Sequence, residues 1–204
     1  MLINTEKVMA VKKEILVKNG FRDEKGFYIR NKRAIYNTAL IDHVFLKRSE
    51  CETDPTYKQI IPYVIVSYHN KYLLLKRLPA QGEKRLHGLY SIGVGGHIKE
   101  NEDAGEKDII VAGTLRELNE EVALSRVGAP GYIGFLNDNT NEVGSVHLGL
   151  VFMLGANDDY FKINEPDKMT GSWASLDELG LLADRAETWS RVMIDFLISV
   201  KNRS

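Results

Sequence analysis

The sequence lacks several features that would place it outside the cell or in a membrane. Of its 204 residues only Cys51 is a cysteine, so no intramolecular disulfide can form and a reducing compartment is favoured. Residues 1–13 mix charged with apolar side chains, unlike a signal peptide. No apolar run approaches the roughly 20 residues of a membrane span. We therefore expect a cytoplasmic protein that does not bind membranes.

An excess of charge of one sign is also missing. The chain has 27 Lys and Arg residues against 28 Asp and Glu residues, for a formal net charge of −1. This balance gives no general attraction to nucleic acid polymers or anionic lipid surfaces. A nucleotide-sized ligand needs only a local pocket, so it stays compatible with this composition. Repeats and low-complexity tracts are absent from the sequence as well.

The pattern of apolar residues predicts a mixed α+β fold, with strands, one central helix, further strands and terminal helices. We expect one main domain over residues 51–204, with residues 1–50 as an N-terminal extension that packs on it and adds a dimer surface or a lid. Ser175 and Glu178 have the spacing of a capping box, and the short polar link His69-Asn-Lys71 between two strand-like segments predicts a hairpin. The predicted strands are Val8–Val17, Ile60–Tyr68, Tyr72–Leu78, the glycine-broken Leu89–Ile98, Val127–Leu136, Val146–Leu154 and Thr170–Ala174, and the predicted helices are Ala34–Leu46, Asp108–Leu124 and Ala186–Val200.

The central helix carries an unusual acidic face. At about 100° per residue, Glu117, Glu120 and Glu121 fall together, opposite an apolar arc that contains Leu118. Like charges at this spacing repel one another by a few tenths of a kcal/mol per pair. A bound divalent cation would offset that repulsion, because hard cations take carboxylate oxygens as ligands. The alternative is a solvated acidic face, which is common on helices of this kind.

Two further features favour the metal site. Arg116 precedes the first glutamate, and its planar guanidinium can hold a carboxylate in one orientation. The segment Gly93-Val-Gly-Gly96 lies upstream, where glycine allows the backbone to approach a metal or a phosphate closely. The segment has neither the spacing of a Walker loop nor that of a dinucleotide fingerprint.

These residues resemble the signature of the Nudix family, G-x5-E-x7-R-E-U-x-E-E-x-G-U, where U is bulky and apolar. The stretch Arg116-Glu-Leu-Asn-Glu-Glu-Val-Ala-Leu124 matches except for Ala123, where the family has glycine. Gly96 and Glu102 have the x5 spacing, but thirteen residues instead of seven separate Glu102 from Arg116, a six-residue insertion. An alternative alignment places Glu106 in the acidic position. The resemblance covers about residues 58–200, and within the family the chain looks like a bacterial subgroup described as phosphoesterases.

The resemblance implies a Nudix α/β/α sandwich with a mixed sheet and a divalent-metal-dependent hydrolase of a diphosphate bond, a pyrophosphohydrolase. Glu117, Glu120 and Glu121 would bind Mg²⁺ or Mn²⁺, with the Gly95 carbonyl as a further ligand. Arg116 would orient Glu117, and Glu120 or Glu121 would serve as the base or position the water. The substrate would be a small molecule in which a nucleoside diphosphate is linked to a second moiety.

Arg77 and Arg85 are the candidate phosphate ligands, and surface charge is the alternative for both. For His97, beside the two glycines, phosphate contact and a structural hydrogen bond stay open. Two other functions within the family stay open too. One is a ligand-binding regulator without catalysis, although such domains usually lose the carboxylates that are kept here. The other is an isomerase of the isopentenyl-diphosphate type, which needs an active-site cysteine, and Cys51 lies outside the expected region.

Overall fold

A computed structural model describes residues 6–80, 84–103, 108–125 and 127–203. Its helices and strands alternate irregularly along the chain, as the predicted α+β class requires. In chain order the elements are β1 Lys7–Lys12, α1 Lys13–Lys18, β2 Gly26–Tyr28, α2 Lys32–Ile41, β3 Val44–Lys47, α3 Arg48–Cys51, β4 Tyr57–Tyr68, β5 Lys71–Arg77, β6 Tyr90–Ser91, β7 Val94–Gly95, α4 Glu100–Asp103, α5 Ile109–Glu121, β8 Val122–Leu124, β9 Gly131–Asn137, α6 Glu142–Ser145, β10 His147–Gly155, β11 Phe161–Ile163, β12 Met169–Ser175, α7 Leu176–Leu182 and α8 Thr188–Lys201.

The first of two compact units contains the described parts of Met1–Tyr63, Gly95–Glu117 and Tyr132–Val151. In it β1 pairs antiparallel with both β3 and the start of β4, and β2 pairs antiparallel with β9. Val8 and Ala10 of β1 are fully buried and pack with Cys51. Burial raises the pKa of the Cys51 thiol, which favours the neutral form of that side chain.

A buried lysine joins distant stretches of this first unit. The Lys58 side chain is fully buried, and its Nζ donates to Asn137 Oδ1 at 2.9 Å and to the Gly144 carbonyl at 3.3 Å. The Asp23 carboxylate lies 3.7 Å from the same Nζ. Burial lowers the pKa of Lys58 from 10.5 to about 8, because the charged form loses its hydration.

The second unit contains the described parts of Val64–Val94, Leu118–Gly131 and Phe152–Ser204. Its centre is β5, which pairs antiparallel with β12 over seven residues, with the end of β4 and with β6. β8 and β11 form a separate two-stranded antiparallel pair. The turn between β4 and β5 contains His69 with a φ of 50°, so the predicted hairpin and its short polar link are confirmed.

Three predicted elements end earlier than expected or change type. The predicted strand Val8–Val17 is a strand only to Lys12, since Lys13–Lys18 forms α1. The predicted helix Ala34–Leu46 ends at Ile41, and Val44 and Leu46 belong to β3, because they pair with β1. The predicted helix Asp108–Leu124 ends at Glu121, because Val122–Leu124 pairs with β11. Over such short spans the apolar pattern is compatible with both a helix and a strand, so pairing with a neighbouring strand determines which of the two forms.

The C-terminal predictions agree with the structure. Ser175 and Glu178 form the expected capping box at the start of α7, and α8 spans most of the predicted terminal helix. Among the described residues, no helix combines the length and the apolar character needed to cross a membrane. The boundary predicted at residue 50 stays a prediction.

Candidate active site

The acidic helix α5 is fixed at its start by Asp108. Asp108 Oδ1 accepts hydrogen bonds from the Ile110 and Val111 amides, and Oδ2 accepts one from the Tyr36 hydroxyl at 2.7 Å. This carboxylate satisfies two amides that have no partner within the helix and interacts favourably with the helix dipole. The Tyr36 contact connects α2, far upstream in the sequence, to the helix that carries the acidic signature.

Toward the other end of α5, one carboxylate is held by an arginine. Arg116 Nη1 donates to Glu117 Oε1 at 2.8 Å, and Arg116 Nη2 donates to the His97 carbonyl at 2.7 Å. The side chains of Arg116 and Glu117 are 17% and 12% exposed. In such partly buried surroundings the ion pair is screened little by solvent, so the Glu117 carboxylate keeps one orientation.

Gly96 provides the space that this carboxylate occupies. A Cβ built on Gly96 would lie 2.0 Å from Glu117 Oε2, and one on Gly95 would lie 2.7 Å from the Pro62 carbonyl oxygen. Both distances are far below ordinary van der Waals contact. The Gly-Gly pair is therefore explained by close approach of the backbone to Glu117 and Pro62, whereas its predicted approach to a metal or a phosphate stays a prediction.

The ring of His97 makes a structural hydrogen bond. Its Nε2 lies 2.9 Å from Gln59 Oε1, and the Nε2 atoms of His97 and His147 are 3.4 Å apart. Burial, followed by the positive charge of Arg48, lowers the pKa of His97 to about 2, so the ring is neutral. The carbonyl of His97 therefore accepts a hydrogen bond from Arg116, and its ring is hydrogen-bonded to Gln59.

The end of α5 lies in the second unit, where Glu121 faces Arg77 from the end of β5. Arg77 Nη1 is 3.6 Å from Glu121 Oε2, and Arg77 Nε donates to Glu187 Oε1 at 3.0 Å. Glu187 precedes α8 and is 66 residues beyond Glu121 in the sequence. Sequence reasoning missed Glu187, because no motif surrounds it. Glu120, between the two paired glutamates of α5, is exposed.

The remaining predicted residues lie in short segments. Arg85 is exposed in a 3-10 turn, Lys84–Leu86, and Glu102 belongs to α4, whereas Glu106 lies outside the described residues. Ala123, the departure from the signature, lies in β8 and pairs with Lys162 of β11. An extended strand accepts a side chain at this position, so glycine is not required.

The residues on α5 suit a hard divalent cation by donor type, because such a cation takes carboxylate oxygens as ligands. In the part of the chain that the structure describes, no three acidic, histidine or cysteine side chains converge closely enough to form a metal cluster. Mg²⁺ sites are commonly completed by substrate phosphate oxygens and water, so a few carboxylates suffice. The acidic helix is compatible with a site of that kind.

Comparison with known proteins gives relatives of similar length. Protein YmaB of Bacillus subtilis (strain 168) is 33% identical over an alignment of 184 residues, and the alignment covers 85% of this chain and 88% of that protein. The crystal structure of Tm1382, a candidate Nudix hydrolase, is 32% identical and covers 96% of this chain and 100% of its own, with a TM-score of 0.83. No family model matches the chain.

A more distant structure shares the fold. It is a bifunctional NMN adenylyltransferase/ADP ribose pyrophosphatase from Francisella tularensis, complexed with AMP and a manganese ion. It is 16% identical, with a TM-score of 0.50, over 70% of this chain and 41% of its own. Because Tm1382 matches in sequence and fold from end to end, this chain belongs to the Nudix hydrolase family, and its α+β fold with a mixed sheet is the fold of that family.

Proposed function

We propose that the protein hydrolyses a diphosphate bond in a nucleoside diphosphate linked to a second moiety, with Mg²⁺ or Mn²⁺ as the cofactor. The observation that carries this proposal is the fixed orientation of Glu117, whose carboxylate is held by Arg116 and packs directly against Gly96. A helix whose acidic residues were merely solvated would not need an arginine and a glycine arranged around one carboxylate.

The proposed ligands are Glu117, Glu120 and Glu121, with the Gly95 carbonyl as a further oxygen donor. The metal would neutralise the charge that develops on the phosphates and lower the pKa of a bound water. Arg116 keeps the Glu117 carboxylate in place by its hydrogen bond. Glu120 is exposed, and we assign it the task of accepting a proton from the attacking water, with Glu121 as the alternative base.

Arg85 and Arg77 are the proposed phosphate ligands, and they differ in solvent exposure. Arg85 is exposed, whereas Arg77 is 8% exposed and contacts two carboxylates. We therefore expect Arg85 to contribute more to substrate binding. An arginine suits this task because its planar group can bind two phosphate oxygens at once.

The test is a hydrolysis screen with Mg²⁺ and with Mn²⁺. ADP-ribose is tried first, since the fold neighbour from Francisella tularensis is an ADP ribose pyrophosphatase, and dinucleoside polyphosphates follow. We expect Glu120→Gln to lower kcat by at least about 100-fold, as expected for loss of a general base. Asn119→Ala, an exposed neighbour on the same helix turn, is the control and should keep wild-type turnover.

The alternatives give different results in the same assays. A ligand-binding regulator would bind a nucleotide without metal-dependent turnover, and a structural protein would bind neither nucleotide nor metal. Equal turnover by the wild type and Glu120→Gln would contradict the proposed mechanism even if hydrolysis were observed.

A further inference from the structure

Arg77 lies between two carboxylates that come from distant parts of the second unit. Its Nε donates a hydrogen bond of 3.0 Å to Glu187 Oε1, whereas its Nη1 stays 3.6 Å from Glu121 Oε2. The first contact is a hydrogen bond, and the second distance is too long to be one. Arg77 thus donates a hydrogen bond to Glu187, and its ion pair with Glu121 is the longer of these two contacts.

The three side chains are sheltered from solvent. Arg77 is 9% exposed at its side chain, and Glu121 and Glu187 are 16% exposed each. Charges in such surroundings are poorly screened, so the position of the guanidinium strongly affects both carboxylates. A shift of less than 1 Å would bring Arg77 Nη1 into hydrogen-bonding distance of Glu121, within about 3 Å.

The backbone around the triad is fixed by hydrogen bonds. The Glu187 amide donates to the Tyr90 carbonyl at 2.8 Å, and the Glu121 carbonyl accepts from the Asn164 amide at 2.9 Å. The Arg77 amide donates to the Leu89 carbonyl at 3.0 Å. The main chain therefore stays in place, and the long Arg77 side chain is the part that can move between Glu187 and Glu121.

We propose that Glu187 is a positioning residue that draws Arg77 away from Glu121 and so keeps the Glu121 carboxylate available as a ligand of the divalent cation. This inference rests on the proposed function, because it assumes that Glu121 is a metal ligand. Without the Glu187 carboxylate, Arg77 closes on Glu121 and competes with the cation for the same carboxylate. A carboxylate that lies far from the acidic helix in sequence would then set the metal affinity of that helix.

The test is direct titration of the full chain with Mn²⁺ alone, monitored by the electron paramagnetic resonance of the free ion. We expect Glu187→Gln to weaken Mn²⁺ binding about tenfold, within the range for residues that orient metal ligands. Glu187→Asp keeps the charge and should recover most of the affinity. Asp184→Asn removes a more exposed carboxylate from the same segment, paired with Arg191 at 2.9 Å, and should leave the affinity unchanged.

The role of Arg77 is isolated by a double-mutant cycle. In an Arg77→Ala background, Glu187→Gln should change the Mn²⁺ affinity by less than about twofold, because no guanidinium is left to close on Glu121. If Glu187→Gln is as harmful in that background as in the wild type, Glu187 acts through its charge alone and the inference is wrong. Thermal unfolding of each variant without metal reports on any loss of folding.

Failure of the inference and failure of the proposed function give separate results. Wild-type protein that binds Mn²⁺ while Glu187→Gln binds it equally well overturns the inference alone. Wild-type protein that binds no Mn²⁺ at millimolar concentration overturns the metal role of Glu121, and with it both proposals.

Discussion

Replacement of Gly96 by alanine should damage the proposed site with little effect on the fold. The added Cβ would lie 2.0 Å from Glu117 Oε2, and ordinary contact begins at 3.4 Å, so the carboxylate must move by about 1.4 Å. The atom in the way is the end of a flexible side chain, which can swing aside. That movement removes the Glu117 carboxylate from the orientation in which Arg116 holds it.

The expected loss of activity follows from the size of that displacement. A misplacement of about 1 Å can lower a rate about 100-fold, which corresponds to about 2.7 kcal/mol in the activation free energy. Thermodynamic stability should change by less than about 1 kcal/mol, because replacing glycine also reduces the entropy of the unfolded chain. We therefore expect a large loss of kcat/KM in a protein that unfolds at nearly the wild-type temperature.

The assay is steady-state hydrolysis with Mn²⁺, of whichever diphosphate the wild type turns over best, together with thermal unfolding. Gly155→Ala is the matched control, because a Cβ at Gly155 meets no atom within 4 Å. Wild-type kcat/KM in Gly96→Ala would refute the reasoning, since the carboxylate would then tolerate displacement. An equal loss in Gly155→Ala would show that any added methyl group is harmful.

Two further predictions concern the first compact unit. Tyr36→Phe should lower the free energy of unfolding, measured with urea, by about 1.5 kcal/mol, because it removes the 2.7 Å hydrogen bond to the Asp108 carboxylate. The control is Tyr160→Phe, which should change this free energy little because Tyr160 is 56% exposed. Burial lowers the pKa of Lys58 in the folded protein from its ordinary value of 10.5 to about 8. Between these two pH values the unfolded chain binds more protons than the folded chain, so this residue makes stability rise with pH. Urea titrations from about pH 7.5 to about pH 9.5 should show that the free energy of unfolding rises with pH in the wild type and rises less in Lys58→Met. An equal rise in both proteins would contradict the lowered pKa of Lys58.

Much of the acidic helix could be read from the sequence, because its information is local. The spacing of Glu117, Glu120 and Glu121 follows from the helical period, and the neighbouring Arg116 pairs with Glu117 as the residue order suggests. The hairpin β4–β5 and the capping box of α7 were likewise predicted from adjacent residues. In each case the interacting groups lie within a few positions of one another.

The features that the sequence did not reveal depend on distant partners. Val122–Leu124 continues the apolar pattern of α5 and becomes a strand only because β11 pairs with it. Glu187 has no motif of its own, and its relation to Arg77 exists only where the chain returns before α8. The same holds for Lys58 and Asn137, whose contact spans 79 positions. Periodicity describes one segment at a time, so it cannot identify such pairs.

The discontinuous make-up of the first unit has a consequence for biosynthesis. Its described residues come from three separate stretches, and the last begins at Tyr132. A nascent chain that ends before this point contains Lys58 but not Asn137, so the amide oxygen that accepts the hydrogen bond of the lysine is missing. Contacts of such long range form slowly and leave apolar surface exposed in the meantime. We therefore expect the N-terminal half to need protection on the ribosome until the final stretch has emerged.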